Sequence, residues 1–138
     1  MTVKIEKFNI STLGFNDIID ITSKVQGIVS GFGLKDALLN IQVTASEASI
    51  LTLECEPGIN ADLAQLLEEI VPLNKIYKHD ETWHEGNAYA HLRASLLGNN
   101  IALSVIEGRI ELNSWQKIVL VDFDSKPRVR TIVVCVVY

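Results

Sequence analysis

The chain has 138 residues, of which 48% are hydrophobic and 21% charged, and its formal net charge is −5 at pH 7. This length and balance predict one globular domain over residues 1–138 and exclude a disordered or low-complexity chain. The acidic balance and the dispersed basic residues argue against nucleic-acid binding. No signal-peptide core and no run of about 18 apolar residues occurs, so we expect a cytoplasmic protein without a membrane partner.

The first half of the chain alternates between strand and helix patterns. Alternating or β-branched segments predict three strands, over residues 2–10, 37–44 and 49–54. A helix is predicted after a cap at Asp20 and ends near Gly31, where glycine can terminate it. A second helix is predicted to begin at Asn60, beyond a break in the pattern, and to end before Pro72.

The second half begins with a predicted loop and then a third helix from Asn87 to Leu97, closed by a left-handed cap at Gly98. Four strands should follow, over residues 101–106, 110–112, 115–123 and 128–138. The last strand is apolar at both parities, so we expect one face to meet the core and the other a second subunit. Helices grouped between strands indicate an α+β fold with about three helices.

All three histidines, His79, His84 and His91, lie within thirteen positions, beside several acidic residues. Histidine is the side chain best suited to proton transfer near neutral pH and to metal binding. Asn87 and His91 are four apart and should share one helix face. His84 would project from the same side if that helix begins early, and His79 could fold back from the preceding loop.

Three interpretations of the histidine block stay open. Two or three imidazoles with a carboxylate suit a metal, although no HExxH or comparable spacing is present. A metal-free site could use His79 as acid or base, or bind an anion. In the third, His91 is a hydrogen-bonded interior residue and His84 is solvated. No GxSxG, P-loop or dinucleotide motif occurs.

Other candidates lie near the end of the chain. Trp115 and Gln116 could wall a pocket and orient a polar substrate, although a core or interface tryptophan is the simpler interpretation. Arg128 and Arg130 alternate on one strand face and could hold a phosphate or carboxylate, or could be paired with acidic residues. The two cysteines form no CxxC pair and are expected to be unreactive thiols.

Several short motifs occur together, from about residue 20 to the end: Asp20-Ile21-Thr22, Glu54-x-Glu56-Pro57-Gly58, His79-Asp80, Asn87-x-x-x-His91-Leu92, Ala94-Ser95-Leu96-Leu97-Gly98, Gly108-Arg109, Trp115-Gln116 and Asp122…Pro127-Arg128-x-Arg130. In this combination the chain resembles the YjbQ family. The resemblance implies a small α+β protein that forms a homotrimer. It also implies a secondary thiamine-phosphate-synthase activity and a metal or anion site between subunits.

The resemblance also assigns roles to residues. It implies that His79 and His91 are catalytic or bind metal or phosphate. His84 is not a shared position, but it could serve as a further metal ligand in place of a missing family histidine, and the divalent cation expected is zinc or magnesium. The substrate, a phosphorylated small molecule or anion, would contact Asn87, Trp115, Gln116, Arg128 and Arg130.

The chain departs from the family pattern at one position. Family members carry a His-Thr-Thr-Ala motif where this chain has Gln42-Val43-Thr44-Ala45. Glutamine is a poor metal ligand and exchanges no proton near pH 7. An alternative is therefore a non-enzymatic trimeric binding or scaffold protein that has lost catalytic competence. A metal-dependent hydrolase is a further, weaker option.

Overall fold

Two antiparallel sheets and four helices make up the computed structural model, which describes every residue from Met1 to Tyr138. The strands are β1 (Val3–Thr12), β2 (Asp17–Asp20), β3 (Ala37–Val43), β4 (Ala48–Glu54), β5 (Asn100–Ile106), β6 (Arg109–Ile110), β7 (Gln116–Asp122) and β8 (Arg128–Val137). The helices are α1 (Thr22–Phe32), α2 (Pro57–Ile70), α3 (Lys78–Trp83) and α4 (Ala88–Leu97). The α+β prediction is confirmed, with one helix more than expected.

The larger sheet has the strand order β1-β8-β3-β5-β6, and the smaller has the order β2-β7-β4. β8 lies between β1 and β3, and Cys135 of β8 pairs with Ile5 on one side and Asn40 on the other. The last strand of the chain is thus an interior strand of its sheet. All strand pairs are antiparallel.

The main core joins α1 to both sheets. α1 contributes Val25, Ile28 and Val29, whose spacing puts them on one helix face. The Asp20 carboxylate accepts from the Thr22 backbone N–H at 2.9 Å at the start of the helix. At its end, Gly33 adopts the left-handed conformation with φ 66°, which glycine takes without a Cβ penalty. The predicted first helix is confirmed.

A second core lies on the other face of the smaller sheet. Ile118 and Leu120 of β7 belong to the main core, whereas Val119 and Val121 belong to the second, with residues of α2 and α4. Successive side chains of a strand point to opposite faces, so β7 is buried on both. The smaller sheet therefore separates the main core from α2 and α4.

One face of the larger sheet carries no helix of this chain. We call it the outer face, and its members are residues whose neighbours in the strand point to the core: Val3, Ile5, Lys7 and Asn9 of β1; Leu38, Asn40 and Gln42 of β3; Asn100, Ala102, Ser104 and Ile106 of β5; and Val129, Thr131, Val133, Cys135 and Val137 of β8. Several of its apolar side chains are about half exposed. The alternate apolar residues of β8 that point away from the core lie on this face.

Several boundary predictions were wrong. α2 begins at Pro57 rather than Asn60, because the Glu56 side chain accepts from the backbone N–H groups of Gly58 and Ile59 and proline fits the first helical turn. β2 was not predicted, and α3 occupies the predicted histidine loop. Gly98 has φ 86° but ψ 158°, so it is not a left-handed cap.

Both cysteines are free and partly buried. None of the four helices combines the length and the hydropathy needed to cross a membrane.

Candidate functional site

A cluster of five charged side chains fills the end of β7. Arg130 donates through Nε to Asp122 Oδ2 at 2.6 Å and through Nη2 to Asp122 Oδ1 at 3.0 Å. Its Nη1 donates to Glu47 Oε2 at 3.2 Å. Arg128 Nε donates to Asp124 Oδ2 at 2.7 Å. Both aspartates are fully buried, so this guanidinium–carboxylate network replaces the water that the charges would otherwise need.

The network shifts two pKa values, and in both cases pairing outweighs burial. Burial alone lowers the pKa of Arg130, but the hydrogen bond and charge of Asp122, followed by the charges of Glu47 and Asp124, leave that pKa above its ordinary value. Burial alone raises the pKa of Asp124. Hydrogen bonds from Arg128 and from the Ser125 backbone N–H leave it below its ordinary value. Both groups are therefore held in their charged forms.

Two helices bring a pair of histidines beside this network. His79 belongs to α3 and His91 to α4, and their ring centroids are 4.7 Å apart in an edge arrangement. His91 Nε2 lies 3.8 Å from Glu47 Oε1, and the two side chains are 27% and 17% exposed. The structure thus unites His79 and His91, and it adds Glu47.

A chain reversal between α3 and α4 produces this contact. His84 ends α3 with φ 55° and ψ 25°, a left-handed conformation that stops the helix. The Asp80 carboxylate then accepts from the Ala88 backbone N–H at 3.0 Å, which ties the start of α4 back to α3. His84 would share the α4 face only if that helix began early, and this condition is not met, because α3 and α4 are separate helices. His84 is exposed in the turn between them.

Asn87 occupies the position before α4 and is only 2% exposed. Its side chain is near enough to Asp124 to help lower the pKa of that carboxyl group. Its Oδ1 atom is buried without a hydrogen-bond donor, as is the hydroxyl of Tyr89. Buried acceptors are normally paired, so Asn87 Oδ1 is an available acceptor beside the charged network.

A cleft of ≈ 700 Å³ lies beside the last turn of α4. Small and polar residues line it: Thr44, Ala45, Ser46, Ala94, Ser95, Gly98 and Asn99. His91 precedes Ser95 by four residues, so the two share a face of α4. Ser46 Oγ donates to Glu47 Oε1 at 2.9 Å, which links the cleft to the charged network.

Two further predicted site residues, Trp115 and Gln116, do not join this group within one chain, and neither does Gln42. Trp115 and Gln116 lie at the opposite end of β7, about 20 Å from Asp122 at the usual rise per strand residue. Trp115 is 72% exposed, and Gln116 Oε1 accepts from the Asn113 backbone N–H at 3.2 Å. Gln42 is on the outer face, two residues before Thr44 of the cleft.

The predicted metal set is not assembled within one chain. No group of three or more histidine, cysteine, aspartate or glutamate side chains is arranged to hold a metal ion. His79 and His91 are together, but His84 lies outside their contact. The donors present would therefore need a further ligand to make a metal site.

Sequence analysis did not single out Glu47 or Asp124, whereas Asp80 was noted beside His79 and Asp122 as part of a motif. A pattern was nevertheless present, because Asp122-x-Asp124 ends an apolar strand and Arg128-x-Arg130 begins the next. Alternation puts the two aspartates on one face before a short turn and the two arginines on one face after it, so the acidic pair can meet the basic pair. Nothing comparable marks Glu47, which reaches the site only through tertiary packing.

The match to a family profile covers residues 6–138, and that family is described as UPF0047 protein YjbQ-like. A UPF0047 protein of Archaeoglobus fulgidus is 36% identical over 118 residues, which is 86% of this chain and 89% of the relative. A UPF0047 protein of Methanothermobacter thermautotrophicus is 37% identical, over 87% of this chain and 82% of the relative.

Solved structures agree with these relatives. A YbjQ-like protein of unknown function from Sulfolobus solfataricus superposes with a TM-score of 0.86 at 31% identity, over 98% of each chain. An uncharacterised conserved protein of the yjbq/upf0047 family from Clostridium acetobutylicum gives a TM-score of 0.86 at 28% identity, over 96% of this chain and 99% of the other. Sequence and fold together show that this chain belongs to the UPF0047 family of YjbQ-like proteins, whose function is uncharacterised.

Proposed function

We propose that this protein binds a phosphorylated small molecule beside His79 and His91, and that it acts as a transferase of the secondary thiamine-phosphate-synthase type within a homotrimer. The observation that carries the proposal is the ring contact between His79 and His91, which come from two helices and meet at 4.7 Å. Two imidazoles, of which His91 lies one helical turn before Ser95 of the cleft, can donate hydrogen bonds to phosphate oxygens when protonated and can exchange a proton.

The surrounding charges are compatible with an anionic ligand. Arg130 is occupied by Asp122, Asp124 and Glu47, so we assign it to holding the network together rather than to the substrate. Arg128 is different, because its side chain is 37% exposed and only its Nε atom has a hydrogen-bond acceptor within the chain. Its two Nη groups are left to contact a phosphate.

During transfer of a phosphorylated group, each residue of the site would have its own role. Arg128 and the cleft hydroxyls would bind the phosphate and orient it. Asn87 Oδ1 would accept from a substrate N–H or O–H group, since it has no donor within the chain. His79 and His91 would hold or transfer the proton that balances charge on the leaving group.

A divalent cation, zinc or magnesium, enters this proposal only with a ligand from outside the single chain, because one chain assembles no group of three suitable side chains. When bound, such a cation would neutralise charge on a diphosphate leaving group. The transferase activity itself is supported by the resemblance to the YjbQ family, and phosphate binding is supported by the geometry.

The homotrimer is supported by the outer face. A sheet face with half-exposed apolar side chains and no covering helix is typical of a subunit contact. In such an assembly, Trp115 and Gln116 of one chain could complete the site of another, although they are about 20 Å from Asp122 in their own chain. Native mass spectrometry measures the stoichiometry directly, and a monomer at micromolar concentration would contradict the trimer.

The binding proposal is tested by titrating the protein with pyrophosphate and with thiamine phosphate in a calorimeter. We expect His91→Ala to weaken binding at least tenfold, the loss expected for one charge-assisted contact. His84→Ala is the matched control, since His84 is exposed in a turn and should change nothing. Equal affinities for wild type and His91→Ala would contradict the site.

A second candidate is a binding or scaffold role without catalysis, and Gln42 favours it. The glutamine lies on β3, two residues before Thr44 of the cleft, and supplies no exchangeable proton near pH 7. A gain of synthase activity or metal binding in Gln42→His would support a decayed enzyme. Unchanged behaviour in that variant, with phosphate binding and assembly retained, would support the binding role.

A further inference from the structure

We infer that Glu47 is a positioning residue for His91: its carboxylate keeps the proton on Nε2 of the imidazole and leaves Nδ1 as the nitrogen that meets a ligand. This inference deepens the proposed function and depends on it for the role of Nδ1. The position of the proton is a property of the protein without ligand, and it can be tested separately.

Glu47 is fixed by groups on several sides. Arg130 Nη1 donates to its Oε2 at 3.2 Å, and Ser46 Oγ donates to its Oε1 at 2.9 Å. Its backbone carbonyl accepts from the Phe123 N–H at 2.9 Å. A carboxylate held this way is in place before any ligand arrives, and it is only 17% exposed.

The carboxylate selects one tautomer of His91. An ionised carboxylate can only accept hydrogen bonds, and its Oε1 atom is 3.8 Å from Nε2. That distance is longer than a direct hydrogen bond and suits a charge contact. With Nε2 unprotonated, its lone pair would face a negative charge across this gap. With Nε2 protonated, an N–H dipole faces that charge instead, which is the favourable arrangement.

The charge balance of the network strengthens the preference. Three carboxylates, on Glu47, Asp122 and Asp124, share two guanidinium groups, on Arg128 and Arg130. Both guanidinium groups contact Asp124, and Arg130 also holds Asp122 through two nitrogens. Glu47 receives one guanidinium contact, so the surplus negative charge lies at the end of the network that faces the imidazole.

The two ring nitrogens of His91 therefore have different roles. Nε2 is committed to the protein side of the site, and Nδ1 keeps the lone pair that can accept a proton, a hydrogen bond or a metal. Once it has accepted a proton, Nδ1 can donate a hydrogen bond to a phosphate oxygen. His79, in edge contact with the same ring, is the nearest neighbouring imidazole that the geometry identifies.

Long-range ¹H–¹⁵N spectra of the ligand-free, ¹⁵N-labelled protein test the assignment. They are recorded about two pH units above the ordinary imidazole pKa of about 6.5. Signals are assigned with His79→Ala, His84→Ala and His91→Ala. We expect the Nε2–H to Nδ1–H ratio of His91 to exceed that of exposed His84 roughly tenfold, as one charged contact predicts. In Glu47→Ala the ratio should fall to the His84 value.

Two further variants keep the outcome decisive. Glu47→Gln keeps the volume and an acceptor oxygen and should give an intermediate ratio, which guards against misfolding of Glu47→Ala. Glu54→Gln, at the far end of β4 and exposed, should leave His91 unchanged. A wild-type His91 in the Nδ1–H form, or a ratio unaffected in both Glu47 variants, would overturn the inference. Pyrophosphate titration of the same samples tests the proposed function independently, because the tautomer is measured without ligand.

Discussion

The two ends of β7 differ in how much freedom their side chains keep. At the Asp122 end, charged side chains from β7, β8 and the adjoining loops are joined by hydrogen bonds of 2.6–3.2 Å. At the Gln116 end, the chain emerges from a turn in which the Asn113 side chain accepts from two backbone N–H groups, and Trp115 is exposed. The Asp122 end is fixed by many tertiary contacts, whereas the Gln116 end is arranged mainly by its own local turn.

The difference teaches where a preorganised site can lie. A buried ion pair tolerates few geometries, because each displaced charge loses its partner in a medium with little water. A histidine that lies against this network, as His91 does against Glu47, is therefore held next to groups whose positions are fixed. A turn held by one asparagine can orient its own backbone, but it does not fix a tryptophan side chain that is 72% exposed.

The largest expected effect is the loss of Asp122. Asp122→Ala leaves Arg130 buried without its bidentate partner, and we expect a cost of about 3–5 kcal/mol in the free energy of unfolding. Gln116→Ala, in the same strand at its other end, should change stability by no more than about 0.5 kcal/mol. Urea unfolding monitored by circular dichroism measures both, and equal losses would show that the two ends do not differ.

Glycine-to-alanine substitutions test how closely the backbone is packed beside the charged cluster. Gly14 has φ +78°, and an added Cβ would lie 2.6 Å from the Asp124 carbonyl oxygen and 2.9 Å from that of Lys126. Gly33 has φ +66° with nothing within 4 Å. Gly33→Ala should cost only about 1–2 kcal/mol, the price of the left-handed conformation. Gly14→Ala should cost more, and similar unfolding midpoints for the two variants would contradict the close packing beside Asp124.

The charged end of β7 should make the stability of the protein depend on pH in acid. The pKa of Asp124 is below its ordinary value of 3.8 in the folded protein. Its stabilising contribution is therefore complete above the unfolded-state pKa and is lost as the pH falls through the lower, folded-state value. Urea midpoints measured from about pH 5 downward should fall, and less steeply in Asp124→Asn. An identical acid dependence in wild type and variant would assign the loss to other carboxyl groups.

The smallest effect is expected at the exposed end. Trp115→Ala removes an indole that is 72% exposed, so the stability of the isolated chain should change by no more than about 0.5 kcal/mol. Unfolding is followed by circular dichroism at low protein concentration. A loss above about 1 kcal/mol would mean that the indole is buried against another chain even under those conditions.

Local patterns predicted most of the elements but few of their contacts. β1, α1, β3, β5 and β8 follow from alternation, helical spacing and glycine termination. The start of α2 was misplaced because Pro57 looks like a break, whereas Glu56 and Pro57 together form a good first turn. α3 has six residues, too few to show a helical period.

The candidate site was only partly predictable for a related reason. His79 and His91 are close in sequence, and the family resemblance marks both of them. Their contact depends on the left-handed His84 and on the bond from Ala88 to Asp80, which periodicity does not reveal. Glu47 is 44 residues from His91 and reaches it only because α4 packs against the β4 side of the smaller sheet.

The interior position of β8 has a consequence for how this chain folds. The strand pairs on one side with residues about 125 positions earlier and on the other with residues about 90 earlier. Closing loops of that length carries an entropic cost before any pairing repays it, which favours slow folding. The larger sheet cannot assemble until residues 128–137 are available, because they join β1 to the remaining strands. During synthesis on a ribosome, β1 and the group of β3, β5 and β6 would stay apart, with apolar residues exposed, until this segment has been made.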